Sequence, residues 1–182
     1  FRAGADGLAF EPIVAFGEQA SEPHHEPGHR LLRERDVIKM DFGALVGGYH
    51  ADMTRTVAFG SPAPELRKIH EVVRRAQEAG IDAIHAGVTG GEVDAAARGV
   101  IEDAGYGERF AHGLGHGVGL EIHEGPGLRK DGGDVLPVGA VVTVEPGIYV
   151  PGLGGVRIED MVEVTDGGCR VLGSSPRELI EL

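Results

Sequence analysis

The 182-residue sequence has only one cysteine, Cys169, so it cannot form an internal disulfide. This excludes a small secreted domain held together by disulfides and suits a reducing compartment, from which we predict a cytoplasmic protein. No apolar run approaches the ~20 residues that a membrane-spanning helix needs. No signal-peptide pattern follows Phe1, and because Phe1 is not methionine we expect the natural start to be missing.

Positive charge is also scarce. The 17 Lys and Arg residues against 29 Asp and Glu residues give a net charge of -12, which argues against nucleic acid or an anionic membrane as a partner. The 31 glycines have no fixed period, which excludes collagen. At roughly 100–200 residues per domain, the length predicts one domain. The surplus of carboxylates, together with nine histidines, makes a divalent metal worth looking for.

The first half of the chain is predicted to form strands. A short strand is expected at 11–16 and a polar loop at 17–35. Two further strands, 37–46 and 49–59, flank Gly47-Gly48, and a two-residue glycine turn between apolar strands is typical of a hairpin.

Two helices and more strands follow. An apolar stripe with spacings of three and four predicts a helix after Pro64 that ends at Gly87. Thr89 with Glu92 forms a capping box for a second helix. Strands are expected at 138–145 and 155–165. Strands, then helices, then strands indicate an α+β fold with the helices on one face of a mainly antiparallel sheet.

The predicted hairpin places two acidic residues close together. If Gly47-Gly48 is the turn, paired positions sum to 95, so Asp52 pairs with Gly43 and Asp41 lies on the same face. The two carboxylates are then roughly 7–8 Å apart at the backbone and repel unless a cation lies between them. A turn one residue longer would put them on opposite faces, and two solvated strand acids remain an alternative.

A glycine-rich stretch carries three histidines. His112, His116 and His123 lie within twelve residues, and the glycines between them disfavour helix and let a ligand or another backbone approach closely. Surface histidines in a flexible loop are the alternative interpretation.

Two glutamates end or interrupt apolar strands. Glu145 closes a strand just before a Pro-Gly turn, so it faces the end of the sheet. Glu159 shares a face with Arg157 by the period of two. A simple ion pair between these two residues is the alternative to a functional role for Glu159.

Taken together, two aspartates, one histidine and two glutamates favour Mn²⁺-like ions over an all-cysteine or all-histidine zinc site. The four carboxylates also match the charge of two divalent ions. Two metals about 3.5–4 Å apart can share a bridging hydroxide, which is a nucleophile at neutral pH. This chemistry predicts a hydrolase.

The motifs carry a family resemblance. The sequence contains Asp41-Phe-Gly, eight further residues and Asp52-Met-Thr-Arg, followed later by His112-Gly-Leu-Gly-His116-Gly, Glu145-Pro-Gly-Ile-Tyr149 and Arg157-Ile-Glu159-Asp160. In this order, through nearly the whole chain, it resembles the catalytic domain of the pita-bread metallopeptidases. Within them it is most similar to Xaa-Pro aminopeptidases and Xaa-Pro dipeptidases (prolidases).

The resemblance implies a pita-bread fold, with a curved, mainly antiparallel sheet, helices on its outer face and pseudo-twofold halves. Residues 1–182 would form one catalytic domain, preceded by an N-terminal domain in the full-length protein. The implied activity is hydrolysis of the bond before proline in Xaa-Pro peptides or dipeptides, with two divalent ions. Mn²⁺ is expected, with Co²⁺ and Zn²⁺ as alternatives, and the full-length protein is expected to be a homodimer.

The resemblance also implies roles for individual residues. Asp41 would bind one metal, His116 and Glu145 the other, and Asp52 and Glu159 would bridge both. The remaining implied site residues contact the substrate or line the site: His123, His112, His24, Arg157 and Tyr149.

Three other functions compete. A methionine aminopeptidase shares the five-ligand pattern, but its last glutamate usually follows an Ala-Gln-Phe context, whereas Glu159 follows Val-Arg-Ile. A catalytically silent peptide-binding member of the fold, or a metal-free creatinase-like hydrolase, is disfavoured because all five ligand positions are filled.

Overall fold

The computed structural model describes residues 2–182. Within them the chain forms two short 3₁₀-helices, at Gly17–Ser21 and Gly107–Arg109, and the α-helices α1 (Pro64–Asp82) and α2 (Gly90–Asp103). The strands are β1 (Gly7–Leu8), β2 (Ile13–Phe16), β3 (Val37–Phe42), β4 (Ala44–Val46), β5 (Tyr49–His50), β6 (Met53–Ala58), β7 (Gly115–Gly117), β8 (Glu124–Leu128), β9 (Val141–Val144), β10 (Gly147–Val150), β11 (Gly154–Arg157), β12 (Asp160–Thr165) and β13 (Gly168–Val171).

These strands pair antiparallel in four hydrogen-bonded sheets. Their strand orders are β1-β4-β5, β2-β3-β6, β10-β11 and β13-β12-β9-β7-β8. The α+β class expected from the order of elements is therefore what the chain adopts. Neither helix among the described residues has both the length and the apolar character that crossing a bilayer requires.

The main core lies where the two helices pack on each other and on the sheets. Ile69 and Val73 of α1 and Ile101 of α2 are fully buried together with Val142 and Val156 of the strands. Burying such side chains stabilises the fold by about 1.5–3 kcal/mol each.

Glycine is required at one point of this packing. A Cβ on Gly80 of α1 would lie 3.0 Å from Val144 Cγ1, 3.1 Å from Leu114 Cδ2 and 3.4 Å from Ala97 Cβ. The absence of a side chain therefore lets α1 approach both β9 and α2.

The first helix ends earlier than predicted. It stops at Asp82 rather than at Gly87. The backbone amide of Ala86 donates to Thr165 and that of Gly87 donates to Leu136, so these residues pair with strand and loop carbonyls instead of continuing the helix. The second helix begins as predicted, because Thr89 and Glu92 form the capping box.

The hairpin register is confirmed. Asp41 pairs with Thr54 and Val46 with Tyr49, so both pairs sum to 95. The ladder nevertheless breaks at Gly43, where a Cβ would lie 1.7 Å from the carbonyl oxygen of Ala51. Beyond this break the chain joins β1 in a different sheet.

The strand predicted at 155–165 is also divided. β11 pairs with β10, whereas β12 pairs with β9 and β13. Between them, the amide of Glu159 donates to the carbonyl of Thr54 at 3.1 Å. The chain therefore changes sheets at Glu159, and the predicted 138–145 strand likewise shortens to Val141–Val144, just before Glu145.

Candidate metal centre

The predicted ligands lie where strands end or change partners. Asp52 immediately precedes β6, Glu145 follows β9, Glu159 separates β11 from β12, and Asp41 and His116 lie on β3 and β7. All five line one cavity of about 280 Å³. The structure thus brings together the whole predicted ligand set.

Three of these residues are close enough to bind a single ion. Asp52, His116 and Glu159 each offer one ligand atom, and these atoms lie within 4.8 Å of one another. The Nε2 atom of His116 is also 3.3 Å from Glu145 Oε1 and 3.7 Å from Asp52 Oδ2. Glu145 therefore belongs to the same group.

The Nε2 atom of His116 faces these carboxylates, as a donor when the ring is protonated and as a possible metal ligand when the ring is neutral. Its Nδ1 lies 3.0 Å from the carbonyl oxygen of Gly117. Because a carbonyl only accepts, Nδ1 carries the hydrogen in that bond, and in the neutral ring Nε2 keeps the lone pair that a metal ion would take. A backbone carbonyl that orients the ring in this way is common behind metal-binding histidines.

Asp41 is held from its other side. The Nη2 atom of Arg157 forms an ion pair with Asp41 Oδ2, while Arg157 Nε donates to Thr54 Oγ1 at 2.9 Å. The ion pair between Arg157 and Glu159 that the spacing allowed is not formed. Glu159 instead accepts from Thr54 Oγ1 at 2.6 Å.

The buried oxygens that remain test whether metal ions fit this site. Asp41 Oδ1, Asp52 Oδ1 and Glu159 Oε1 are buried and have no hydrogen-bond partner among residues 2–182. Unpartnered buried carboxylate oxygens are costly and rare in proteins. Divalent cations would satisfy them, and four carboxylates with one imidazole suit Mn²⁺-like ions. The residues therefore fit a metal centre.

The carboxylates also perturb one another. Burial, followed by the charges of Asp41 and Glu145, raises the pKa of Asp52 to about 7. Burial, followed by the charges of Glu145 and Asp52, raises the pKa of Glu159 well above its usual value. A bound cation would favour the charged forms, so binding at neutral pH would release protons.

His116 and Glu145 shift in the opposite sense. Burial opposes charge on both residues, but their mutual hydrogen bond and attraction prevail. The pKa of His116 is therefore raised, and that of Glu145 is lowered, with the charge of Arg157 contributing to the second shift.

The other predicted histidines surround the same cavity. His24, His112 and His123 all line it. The rings of His116 and His123 meet edge to face, with centroids 4.4 Å apart. Burial lowers the pKa of both His112 and His123, and the charge of His116 adds to the effect on His123. Each ring therefore favours its neutral form.

Tyr149 lies behind His112 and does not itself line the cavity. Its hydroxyl is 2.8 Å from His112 Nε2 and accepts from Arg157 Nη1 at 3.0 Å. Since His112 Nδ1 lies 2.8 Å from the carbonyl of Gly113 and donates to it, the tyrosine hydroxyl donates to Nε2. Burial raises the pKa of Tyr149 to about 12, so the hydroxyl keeps this proton.

A model of metallopeptidase family M24 matches residues 1–166. The chain belongs to metallopeptidase family M24. It is 45% identical over 177 residues to the Xaa-Pro dipeptidase of Pyrococcus furiosus, an alignment that covers 97% of this chain and 51% of the relative.

Solved structures of other M24 members superpose closely. A dipeptidase from Pyrococcus horikoshii OT3 gives a TM-score of 0.97 at 52% identity, covering 100% of this M24 chain and 51% of that one. An X-Pro aminopeptidase from Thermotoga maritima MSB8 gives 0.96 at 44% identity, with the same coverage. The pita-bread fold is thereby confirmed, and the chain spans about half the length of the relatives it matches.

Several residues of this M24 site were missed from the sequence. Thr54 is fully buried and orients Glu159, and its only signal was the register, which places it opposite Asp41. Phe10, Ile13 and Ile122 form an apolar part of the cavity wall, and no pattern in the sequence marked them.

Proposed function

We propose that this chain is the catalytic part of a peptidase that hydrolyses the peptide bond before proline in Xaa-Pro peptides or dipeptides. The observation that carries the proposal is the set of unpartnered buried oxygens on Asp41, Asp52 and Glu159 around one cavity. The Xaa-Pro dipeptidase and X-Pro aminopeptidase among the relatives support the substrate class.

Two divalent ions, with Mn²⁺ as the preferred metal, would be held by Asp41, Asp52, His116, Glu145 and Glu159. In this assignment Asp52 and Glu159 would be shared by both ions, Asp41 would bind one of them, and His116 and Glu145 would bind the other. The ions would supply a nucleophilic water at neutral pH and polarise the scissile carbonyl. Thr54 would keep Glu159 oriented through its 2.6 Å hydrogen bond.

The histidines would act on the substrate side. His123 is exposed and lies against His116, so it can donate to the oxygen that gains charge as the carbonyl is attacked. His112, fixed by Tyr149, and His24 would hold the peptide from the opposite wall. Arg157 would line the site and Tyr149 would order His112 from behind it. The apolar wall would contact the proline ring or the residue before it.

Substrate preference tests the reaction. The manganese-loaded protein should cleave Ala-Pro and Ala-Pro-peptides, and should turn over the Ala-Ala counterparts about 10²-fold more slowly. Comparison of the dipeptide with the longer peptide separates dipeptidase from aminopeptidase activity. Equal rates on Ala-Pro and Ala-Ala, or a preference for peptides that begin with methionine, would overturn the assignment in favour of another member of the fold.

Metal content tests the ligand set. We expect elemental analysis to find two Mn²⁺ per chain, and Asp52→Ala to lose paired binding because this residue bridges. Asp103→Asn, which changes an exposed acid at the end of α2, is the matched control and should keep both ions. Tight binding of two ions by Asp52→Ala would contradict the assignment. The cytoplasmic location and the homodimer stay predictions from the sequence.

A further inference from the structure

Lys39 is a buried lysine that the proposed reaction does not use. It lies on β3, two residues before Asp41, and its side chain is completely buried. Lysine is almost never fully buried without partners. Here the partners are backbone carbonyls: Nζ donates to Glu22 at 2.5 Å and to Pro23 at 3.3 Å.

These carbonyls belong to the segment that delivers His24 to the cavity. The segment Glu22–His24 leaves the 3₁₀-helix at Gly17–Ser21 and has no strand partner of its own. The carbonyl of Pro23 also accepts from Arg157 Nη1 at 3.3 Å. Two basic side chains from the sheets, Lys39 and Arg157, therefore hold the peptide groups immediately before His24.

The ammonium group is further fixed by an aromatic ring. Lys39 Nζ lies 5.0 Å from the centroid of Tyr149, within the range of a cation–π contact. The same tyrosine contacts His112 and Arg157 through its hydroxyl. Lys39 thus links the His24 segment to the tyrosine that contacts His112, and the carbonyls and the ring offset the cost of burying it.

We propose that Lys39 is a positioning residue, whose hydrogen bonds to the Glu22 and Pro23 carbonyls fix His24 against the substrate. The kinetic part of this inference rests on the proposed function, because it assumes that His24 contacts the peptide. The structural part does not. It states that Lys39, together with Arg157 at the Pro23 carbonyl, orders the segment, and that no contact made by His24 itself does so.

Lys39→Met tests the inference because methionine matches the length and apolar stem of lysine and removes the donor. We expect hydrogen exchange in peptides spanning 17–28 to accelerate at least about tenfold, with β3 and β6 as protected as in the unchanged protein. The matched control is Lys68→Met, which removes an exposed lysine 5.5 Å from the Tyr106 ring and should change neither. Acceleration throughout β3 and β6, or none at 17–28, would overturn the inference.

Kinetics on Ala-Pro give the second measurement. Lys39→Met should keep its metal ions and lose about 10- to 100-fold in kcat/KM, as expected when a positioned group shifts by about 1 Å. In a His24→Ala background the same change should cost less than about threefold, because the two residues act as one unit. Additive losses would show that Lys39 does not act through His24.

A second variant keeps the test decisive if Lys39→Met fails to fold. Lys39→Gln is neutral but retains an N–H donor, so it should recover part of the exchange protection and of the turnover. Lys39→Gln and His24→Ala then supply the double-mutant cycle. If the unchanged protein does not cleave Ala-Pro at all, the proposed function fails, while the exchange experiment still decides whether Lys39 orders the segment.

Discussion

Glu159 and Asp160 are neighbouring carboxylic acids in the sequence and are buried to the same degree, at 1% and 2% exposure. They differ in how many hydrogen-bond partners their carboxylates have. Asp160 accepts from Arg55 Nη2 at 2.6 Å, Gln77 Nε2 at 2.8 Å and Arg177 Nε at 2.6 Å. The carboxylate of Glu159 accepts one hydrogen bond, from Thr54, and its Oε1 has no partner among residues 2–182.

The difference separates an acid that holds the fold together from one that the proposed function makes a metal ligand. The chain alternates faces at this point, so Asp160 is directed toward α1 and the C-terminal segment, and Glu159 toward Asp52 in the cavity. The hydrogen bonds of Asp160 connect β12 to Arg55 of β6, to Gln77 of α1 and to Arg177 of the C-terminal segment. The missing partner of Glu159, together with its raised pKa, leaves an oxygen whose charge a cation would stabilise.

Removing the structural acid should have the largest effect on this comparison. Asp160→Ala leaves Arg55 and Arg177 without their carboxylate, and we expect the free energy of unfolding to fall by about 3–5 kcal/mol, with or without metal. Urea denaturation measures this. Glu159→Gln is the matched control, and in the metal-free protein it should cost no stability. A larger loss for Glu159→Gln than for Asp160→Ala would reverse the roles assigned to the two acids.

The next largest effect is expected on turnover, from His123, which lies against His116 in the cavity. His123→Ala should keep the metal ions and the fold but lose about 10²–10³ in kcat, or ~2.7–4 kcal/mol, because the donor acts mainly in the transition state. Steady-state kinetics beside metal analysis measure this, with the exposed His85→Ala as control. A kcat within about threefold of the unchanged enzyme would reduce His123 to a packing role. Loss of a metal would make it a ligand.

The buried side chain of His70 makes the stability of the fold depend on pH. Burial lowers the pKa of His70 to about 4. The charge of Arg74 adds to this shift, whereas the charges of Glu71 and Glu178 oppose it. Because the unfolded chain takes up the proton first, near pH 6.5, this residue should cost stability progressively as the pH falls from about 6.5 to 4.

At pH 4 the loss attributable to His70 should reach about 3 kcal/mol. His70→Gln should therefore flatten the acid limb of the stability curve, measured by urea denaturation across this pH range. His85→Gln, at an exposed position, is the control and should leave the curve unchanged. Parallel curves for the unchanged protein and His70→Gln would show that His70 does not titrate in this way.

The smallest effect is expected from a surface pair between Glu163, on the same strand as Asp160, and Arg170 on the neighbouring strand β13. Arg170 Nε donates to Glu163 Oε2 at 2.9 Å, and the arginine side chain is 70% exposed. A double-mutant cycle with Arg170→Ala and Glu163→Ala should give a coupling of about 0.2–1 kcal/mol that declines in high salt. A coupling as large as the Asp160 effect would mean that burial is not what separates the two.

The sequence alone was enough for features governed by local rules. Gly47-Gly48 set a two-residue turn, and since paired positions then sum to a constant, the register that brings Asp41 and Asp52 to one side followed. The capping box at Thr89 and the apolar stripe of α1 were predictable for the same reason: each depends on residues a few positions apart.

Only the tertiary structure decided which buried charges are partnered. Thr54 meets Glu159 across 105 positions, and Lys39 reaches the Glu22 carbonyl across 17. Such contacts depend on how the chain leaves one sheet for another, as it does at Glu159, where an amide bonds to Thr54 instead of continuing the strand. A period of two assigns a residue to a face, but the groups that face it come from distant segments. The neighbouring acids Glu159 and Asp160 therefore acquire different chemistry.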